Sequence, residues 1–298
     1  MKYVRKKFGG EDAFQLFNVL LMFIFMVIIM IPILTVIMTS FVSEAEIARR
    51  GSFIIIPEEF DFSAYKLLWE SSGNIIRAYG NTLFRVIVGT SLNLFFTITL
   101  AYGLSKRDLK GRTFLTGFFF FTMIFSGGMI PTFMTVKGLG LLDSRWAMIL
   151  PSLINTWNLF VMRNFFYGLP VSLEEAAFLD GANQLQVLGK IFLPLSKASI
   201  ATIGLFYAVS HWNAWFDAML YINRTSLLPM QNILRNIITS ASSLGDLSSE
   251  AYNAMDVLPP TQSLRAAAII VTTLPIVMVY PYIQKYFVKG VMVGSVKG

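Results

Sequence analysis

The sequence predicts an all-α protein that crosses a membrane with six helices, and three features support this prediction. Of its 298 residues, 55% are hydrophobic and 14% are charged, and the mean hydropathy is +0.63. Soluble domains carry about 25% charged residues, so this chain has too little polar surface to cover a water-exposed fold. Six uncharged runs also approach the ~20 residues that a membrane-spanning helix needs. Finally, the Lys and Arg residues cluster in short segments between these runs.

The composition also excludes several classes of function. The chain has no cysteine and one histidine, so disulfides, thiolate metal sites, cysteine nucleophiles and a histidine-rich metal centre are not expected. Its net charge is +7, but the basic residues are not arranged along one amphipathic face. Nucleic-acid binding is therefore not predicted.

The first uncharged run comprises residues 15–43. At ~1.5 Å per residue it is longer than the ~30 Å hydrocarbon core. Four basic residues precede it, Lys2, Arg5, Lys6 and Lys7, as in a signal peptide. The apolar run is too long for such a peptide and lacks a small-residue cleavage site, so we expect a retained first helix.

The other five runs comprise residues 86–105, 113–136, 146–162, 198–216 and 266–284. The run 146–162 is the shortest and contains Pro151, so we expect its helix to be buried among its neighbours. In the run 113–136, the residues Gly127, Gly128 and Pro131 interrupt the helix. They indicate either a bend or a close approach of two backbones, and the sequence interpretation favours close packing.

The distribution of basic residues predicts the orientation. More of them lie in the loops on the side of the N-terminus, and positive charge resists translocation out of the cytoplasm. Both termini are therefore predicted to be cytoplasmic. The outer loops, about 44–80 and 223–265, are long and contain aromatic residues and prolines, so we expect them to be folded. Among the inner loops only the segment 163–197 is long.

Local signals in the segment 163–197 predict two short helices. Ser172 with Glu175 has the spacing of a capping box, and Gly181 suits a left-handed helix stop. A second helix begins with Asn183 as N-cap and meets Pro194, which cannot continue a helix interior. Such a hairpin fits either the groove of another protein or a layer of lipid headgroups, and its local physics does not decide between them.

The residues of this segment resemble a known family. Glu175-Ala176-Ala177, Asp180-Gly181-Ala182 and Ile191-Phe192-Leu193-Pro194 resemble the EAA loop of the membrane subunits of bacterial ABC importers. The stretch Trp212-Asn213-Ala214-Trp215-Phe216 and the ending 280–290 are similar to the second-permease branch of the maltose-type carbohydrate importers. The resemblance covers most of the chain.

This resemblance implies a single transmembrane permease domain, 1–298, of the type I ABC importer kind, with 163–197 as its cytoplasmic coupling loop. It also implies a homologous second permease, two ATP-binding cassette subunits and an extracytoplasmic solute-binding protein as partners. The chain contains no GxxxxGK[ST] sequence. We therefore expect no cofactor and no catalytic residues in this chain, with ATP and Mg bound by the partner ATPase. The residues implied in ATPase coupling are Ser172, Glu175, Ala176, Ala177, Asp180, Gly181, Ile191, Leu193 and Pro194.

Polar residues inside the predicted spans are candidates for the translocation path, because polar groups in hydrocarbon are costly. Amides bind sugar hydroxyls and indoles stack on sugar rings. The candidates are His211, Trp212, Asn213, Trp215, Asp217 and Asn158. The alternatives are hydrogen bonds between helices, which also apply to Asn93 and Asn155, and tryptophans that only mark the interface.

The charged residues Arg85 and Asp217 lead to two further expectations. Arg85 either extends to the outer interface or pairs with an anionic sugar. The six-residue spacing of His211 and Asp217 puts them on different faces of one helix, so no acid–base pair is expected from them.

Taken together, the sequence predicts the permease subunit of an ATP-driven importer of sugars, with oligosaccharides expected as cargo, in a bacterial cytoplasmic membrane. One alternative is an ABC permease for peptides or amino acids. A secondary transporter should show internal repeats and paired intramembrane charges, and a membrane-embedded enzyme needs a clustered set of acids, bases or metal ligands. The sequence does not identify the sugar.

Overall fold

The structure, a computed structural model, describes residues 10–51, 53–70, 72–243 and 262–295, which form helices joined by turns and loops, with no strand in these ranges. The predicted all-α class is confirmed. The basic residues before position 8 and the segment 244–261 of the second long loop predicted to be outside lie beyond the described residues. The described residues divide into two compact units, one within the ranges 1–71 and 237–273 and the other within 72–236 and 274–298.

The helices occur in the following order: α1 Gly10–Thr39, α2 Glu44–Arg50, α3 Ser63–Glu70, α4 Ser72–Phe84, α5 Thr90–Ser105, α6 Arg112–Ile124, α7 Met129–Gly138, α8 Thr156–Tyr167, α9 Val171–Leu179, α10 Gln184–Val187, α11 Leu193–Leu195, α12 Lys197–Asn213, α13 Phe216–Tyr221, α14 Met230–Ser243 and α15 Gln262–Ser295. Short π turns at Arg85–Gly89 and Leu188–Phe192 make α4–α5 and α10–α11 continuous.

Three helical stretches of the described chain are long and apolar enough to cross a membrane: Gly10–Thr39, Ile75–Ser105 and Gln262–Val279. Two bent pairs raise this number to five if each pair is one span. One pair is α6 with α7, bent by 113°, and the other is Gln184–Leu195 with α12, bent by 83°. The count of six spans therefore stays a prediction.

Helix α1 is apolar and exposed along most of its length. It contains 30 residues, and no residue of its most apolar stretch is buried. Hydrophobic side chains are exposed from Phe14 to Ile33. In water such a surface would be unstable, because exposed apolar area is costly, so α1 requires an apolar surrounding.

The fourth uncharged run does not form one helix. Its first part makes two 3-10 turns, Arg145–Met148 and Leu150–Ser152, and α8 begins only at Thr156. Pro151 explains the interruption, because it cannot donate a backbone hydrogen bond. The predicted helix bounds 146–162 are therefore wrong. Helix α8 is 12 residues long, about 18 Å. Its predicted burial among neighbours is confirmed, because it packs against α5 with Leu159 and Met162 fully buried.

The third uncharged run is broken at its glycines. Gly128 has a φ of +88°, a conformation that side chains with a Cβ rarely adopt. A Cβ at Gly128 would meet nothing within 4 Å, and one at Gly127 would meet only Pro131. Within the described chain these glycines therefore serve no close packing, and the bend of 113° between α6 and α7 supports the alternative interpretation.

The main hydrophobic core of the second unit lies beneath the segment 168–195. Three aromatic rings meet there, with centroid distances of 5.0 Å between Tyr102 and Phe192 and 5.5 Å between Phe166 and Phe192. Tyr102 comes from α5 and Phe166 from α8. The core thus supports this segment directly.

Candidate functional site

The first helix of the segment 168–195, α9, begins earlier than the sequence signals predict. Its cap residue is Pro170, and no side chain caps the helix start. Ser172 lies inside the helix, so the predicted capping box of Ser172 with Glu175 is wrong. Proline is tolerated at this position because the N–H groups at a helix start have no acceptor within the helix, so a missing one is not lost.

The end of α9 follows the prediction. Gly181 has a φ of +81°. The N–H of Ala182 donates to the carbonyl of Ala177 at 2.9 Å, and the N–H of Gly181 donates to the carbonyl of Phe178 at 3.0 Å. This is the Schellman pattern, in which a left-handed residue satisfies the last carbonyls of a helix. The predicted glycine stop is confirmed.

The second helix also begins as predicted. The side chain of Asn183 accepts from the N–H of Gln186 at 2.9 Å, and that of Gln186 accepts from the N–H of Asn183 at 2.8 Å. Both halves of the capping box are formed. The helical stretch reaches Leu195, one residue beyond Pro194, and the chain turns at Ser196.

We call the segment 171–195 the coupling hairpin, after the role that the resemblance implies for it. Its corner exposes two large apolar side chains, Leu179 at 89% and Leu185 at 78%, which the sequence interpretation did not select. The predicted coupling residues divide into two groups. Those exposed are Ser172, Glu175, Ala176, Asp180, Gly181 and Pro194, whereas Ala177 is buried and Ile191 and Leu193 are half-buried against the core.

A polar contact and an aromatic cluster fix the coupling hairpin to the end of α5. Lys106 forms an ion pair with Glu174, and both side chains are largely buried. The Lys106 ammonium lies 3.9 Å from the centroid of the Tyr102 ring, and the Tyr102 hydroxyl donates to Gln184 Oε1 at 2.7 Å. These residues were not predicted, because they are 68 and 82 positions apart.

The second candidate site is a buried polar network around Arg85, which is 2% exposed. Arg85 Nη1 donates to Asp217 Oδ1 at 3.0 Å, and Nη2 donates to Asp217 Oδ2. Arg85 Nε donates to His211 Nδ1 at 3.3 Å. The expectation that Arg85 extends to the interface is therefore wrong.

His211 connects this network to α5. Its Nε2 is 2.7 Å from Asn93 Oδ1, while the amide nitrogen of Asn93 donates to the carbonyls of Ser152 and Leu153 at 2.8 and 2.7 Å. The oxygen of Asn93 must accept, so the network assigns the proton of a neutral His211 to Nε2. His211 and Asp217 both reach Arg85 because α12 ends at Asn213 and α13 begins at Phe216. The one-helix spacing argument for separating them is therefore wrong.

A cleft of about 450 Å³ adjoins this network. Its lining residues are Ser152, Asn155, Trp157, Asn158, Phe206, Tyr207, Ser210 and His211. Two of the predicted path residues, Asn158 and His211, line it, and so does the exposed indole of Trp157, which the sequence interpretation missed. Trp157 lies in the predicted spans, but it is not part of the Trp212–Trp215 cluster.

The other predicted path residues do not line this cleft. Trp212 is buried, and the amide of Asn213 donates to the carbonyl of Val209 at 3.0 Å. One face of the Trp215 ring is covered by the guanidinium of Arg235, 3.7 Å from its centroid. Asp217 binds Arg85. Among the described residues, no group of three or more His, Asp or Glu residues is arranged to hold a metal ion.

The long apolar helices make the chain an integral membrane protein. No protein-family model matches the sequence. The chain is 48% identical to Protein LplC of Bacillus subtilis (strain 168), over 91% of this chain and 90% of that protein. It is 45% identical to the polygalacturonan/rhamnogalacturonan transport system permease protein YtcP of the same organism, over 95% and 99%.

A solved structure agrees with these relatives. The crystal structure of a bacterial ABC transporter involved in the import of the acidic polysaccharide alginate contains a chain that is 34% identical. It matches with a TM-score of 0.83 over 96% of this chain and 99% of that chain. The protein belongs to the permease subunits of carbohydrate ABC transport systems, as the resemblance of the EAA loop implied.

Proposed function

We propose that this permease is one half of a heterodimeric path through which a bacterial cytoplasmic membrane imports oligosaccharides, driven by ATP that partner subunits hydrolyse. The supporting observation is the coupling hairpin, which exposes an apolar corner while its base is held to the core by Lys106 and Glu174. An exposed corner on a firmly held base suits the transfer of force between subunits.

In the proposed mechanism, two ATP-binding cassette subunits bind ATP and Mg, and one of them receives the corner of the coupling hairpin. The exposed residues of the predicted coupling set would contact its groove, with Leu179 and Leu185 as apolar contacts. The inward residues Ala177, Ile191 and Leu193 would pass the movement to α5 and α8 as a rigid-body shift.

The cleft beside His211 is the proposed sugar path of this subunit. It offers amides and hydroxyls for sugar hydroxyls and the Trp157 indole for an apolar ring face. Asn158 and His211 are buried and would form the wall of this path, while Asp217 would hold Arg85 against His211. Trp212, Asn213 and Trp215 would shape the end of α12 next to this path.

Oligosaccharides are the proposed cargo because relatives that cover nearly the whole chain are named for polysaccharides or oligosaccharides. YtcP is named for polygalacturonan and rhamnogalacturonan, and AraQ of Halalkalibacterium halodurans, 28% identical over 90% of this chain, is named for arabinooligosaccharides. A homologous second permease and an extracytoplasmic solute-binding protein would complete the system. Galacturonate oligomers are the first cargo to test.

The proposed topology treats 1–298 as one permease domain with both termini and the loop 163–197 in the cytoplasm. The chain has no cysteine, so single cysteines can be introduced directly. In intact cells, a membrane-impermeant maleimide should label Phe53→Cys in an outer loop and should not label Leu185→Cys until the cells are opened. Labelling of position 185 from outside would contradict the topology.

The coupling role is tested with substitutions in the hairpin. Proline cannot adopt the φ of +81° at Gly181, so Gly181→Pro should abolish ligand-stimulated ATP hydrolysis in the reconstituted complex while the protein still inserts. Glu175→Ala removes an exposed carboxylate and should lower the same activity. Gly189→Ala is the matched control, because a Cβ there would meet nothing within 4 Å. Normal coupled hydrolysis with Gly181→Pro would contradict the proposed role.

The path is tested at Trp157, whose side chain is exposed and lines the cleft. Trp157→Ala should raise the sugar concentration for half-maximal uptake by about 2- to 10-fold, the range expected from loss of an aromatic contact. Trp69→Ala, an exposed tryptophan in the other unit, should leave uptake unchanged. Equal effects of the two substitutions would argue against the cleft.

A further inference from the structure

Three arginines converge on one tyrosine near the coupling hairpin. The guanidinium carbons of Arg107, Arg112 and Arg163 lie 5.1, 5.8 and 5.9 Å from the centroid of the Tyr167 ring. Three cationic groups around one ring repel each other, and an anion bound among them would reduce this repulsion. In the described part of the chain, none of the three guanidinium groups forms an ion pair with a carboxylate.

Arg112 has a second feature that indicates a missing anion. Its Nη1 atom is buried and has no hydrogen-bond partner among the described residues. A buried charged donor without an acceptor costs free energy. Lys106, next to Arg107 in the sequence, differs from the three arginines because its charge is neutralised by Glu174.

The start of α6 adds positive potential at the same place. Arg112 is its first residue, and Gly111, at a φ of +79°, gives the helix no side-chain cap. The first N–H groups of a helix favour an anion. The turn 106–112 contains four basic residues and one acid, Asp108. Asp108 is exposed and lines the adjacent cavity together with Glu175. The guanidinium groups and the helix start outweigh that single carboxylate of the turn.

The exposed apolar residues beside the arginine cluster indicate that the anion belongs to a phospholipid. No residue of α6 is buried, and Phe114, Phe118 and Phe121 expose more than half of their surface. These rings follow the arginine cluster along the same helix. A phosphate at the helix start with acyl chains beside the phenylalanines matches the two ends of a phospholipid. Basic pockets at the ends of transmembrane helices bind anionic headgroups in this way.

We propose that Arg107, Arg112, Arg163 and the start of α6 form a binding site for the phosphodiester headgroup of an anionic membrane phospholipid. The lipid satisfies the buried Nη1 of Arg112 and neutralises the three guanidinium groups. The site lies at the base of the coupling hairpin, where Arg163 Nε also donates to the last turn of α5 at the carbonyl of Leu104, 3.1 Å away. The inference requires that the chain spans a membrane and does not depend on the cargo.

The test uses the full-length chain, purified in detergent and stripped of lipid, and titrates phosphatidylglycerol or phosphatidylcholine by native mass spectrometry. Phosphatidylglycerol should bind more tightly. Arg107→Gln and Arg112→Gln should each weaken its binding about fivefold, as for one basic residue near a membrane surface. Arg107 is exposed, so its substitution leaves the fold intact. Lys197→Gln, the loss of an exposed charge at the start of α12, is the matched control and should bind as the wild type does.

Two results would overturn the proposal. One is equal binding of the two lipids by the wild-type chain, and the other is an equal loss of affinity with Lys197→Gln and Arg112→Gln. A third arm separates lipid from free anion. Millimolar inorganic phosphate should not displace phosphatidylglycerol, and efficient displacement would show a site for free phosphate instead.

Discussion

Arg85 and Asp217 are 132 positions apart in the sequence and form a two-pronged ion pair in the fold. The side chain of Arg85 is 3% exposed and that of Asp217 is 26% exposed. The pair joins the π turn before α5 to the first turn of α13. A buried guanidinium is tolerated only because its donors are satisfied, here by Asp217, His211 and the carbonyl of Ala214.

Removing one member of this pair should strongly destabilise the protein. Asp217→Ala leaves the buried guanidinium without its counter-charge, and we expect a loss of about 3 kcal/mol in the free energy of unfolding. Thermal unfolding of the purified protein in detergent measures the change. The matched control is Glu58→Ala, which removes the partner of Arg49 in an exposed ion pair and should cost less than about 1 kcal/mol. Equal losses of unfolding free energy in the two variants would contradict the claim that burial makes the Arg85–Asp217 ion pair important for stability.

Gly89 should tolerate no side chain, because of its contact with His211. A Cβ at Gly89 would lie 2.5 Å from His211 Nε2, so Gly89→Ala must displace the ring and break its bond to Asn93. We expect a loss of stability of about 2 kcal/mol. Gly103→Ala in α5 is the control, since a Cβ there meets nothing within 4 Å. It should be neutral or stabilising by up to about 1 kcal/mol, and a similar loss in both variants would count against the steric argument.

Local signals in the sequence were sufficient for much of the fold. Uncharged runs predicted the apolar helices, and the residues at 181 and 183 predicted the corner of the coupling hairpin. These features depend on neighbours within six residues, so their physics is visible in the sequence. The capping box at Ser172 failed because the helix begins two residues earlier, with Pro170 as its cap residue.

Long-range contacts could not be predicted in this way. The partners of Arg85 and Lys106 lie on other helices, and nothing in the local pattern selects Asp217 among the acids or Glu174 over its neighbour Glu175. The prediction that separated His211 from Asp217 was wrong because it assumed one uninterrupted helix across both residues. The break at Ala214 and Trp215 changes the direction of the chain, and no glycine or proline marks it.

The neighbours Glu174 and Glu175 should have different roles. Glu174→Gln removes the ion pair with Lys106 that holds α9 to α5, so we expect hydrogen exchange in 171–179 to rise about tenfold, the effect of about 1.5 kcal/mol. Glu175 is exposed, and Glu175→Gln should leave this exchange unchanged while lowering ligand-stimulated ATP hydrolysis. Unchanged exchange with Glu174→Gln would show that the ion pair does not hold the hairpin.

Asp143 should make the stability of the protein depend on pH in the acidic range. The backbone N–H groups of Arg224 and Asn223 donate to its carboxylate at 2.9 and 2.6 Å, and these bonds lower the pKa of Asp143 below its ordinary value of 3.8. Because the folded-state pKa lies below the unfolded one, the ionised carboxylate stabilises the fold above the unfolded-state pKa. This contribution is lost as the pH falls through the folded-state pKa.

The backbone at Asp143 permits a matched pair of variants for this test. Its φ is +55°, which asparagine tolerates and alanine does not. Asp143→Asn should therefore keep the loop conformation but lose the charge, so the difference in unfolding temperature from the wild type should shrink as the pH falls below about 4. Asp143→Ala should be less stable than Asp143→Asn at every pH, because it also strains the backbone. A difference between wild type and Asp143→Asn that does not depend on pH would mean that the carboxylate charge does not stabilise this loop.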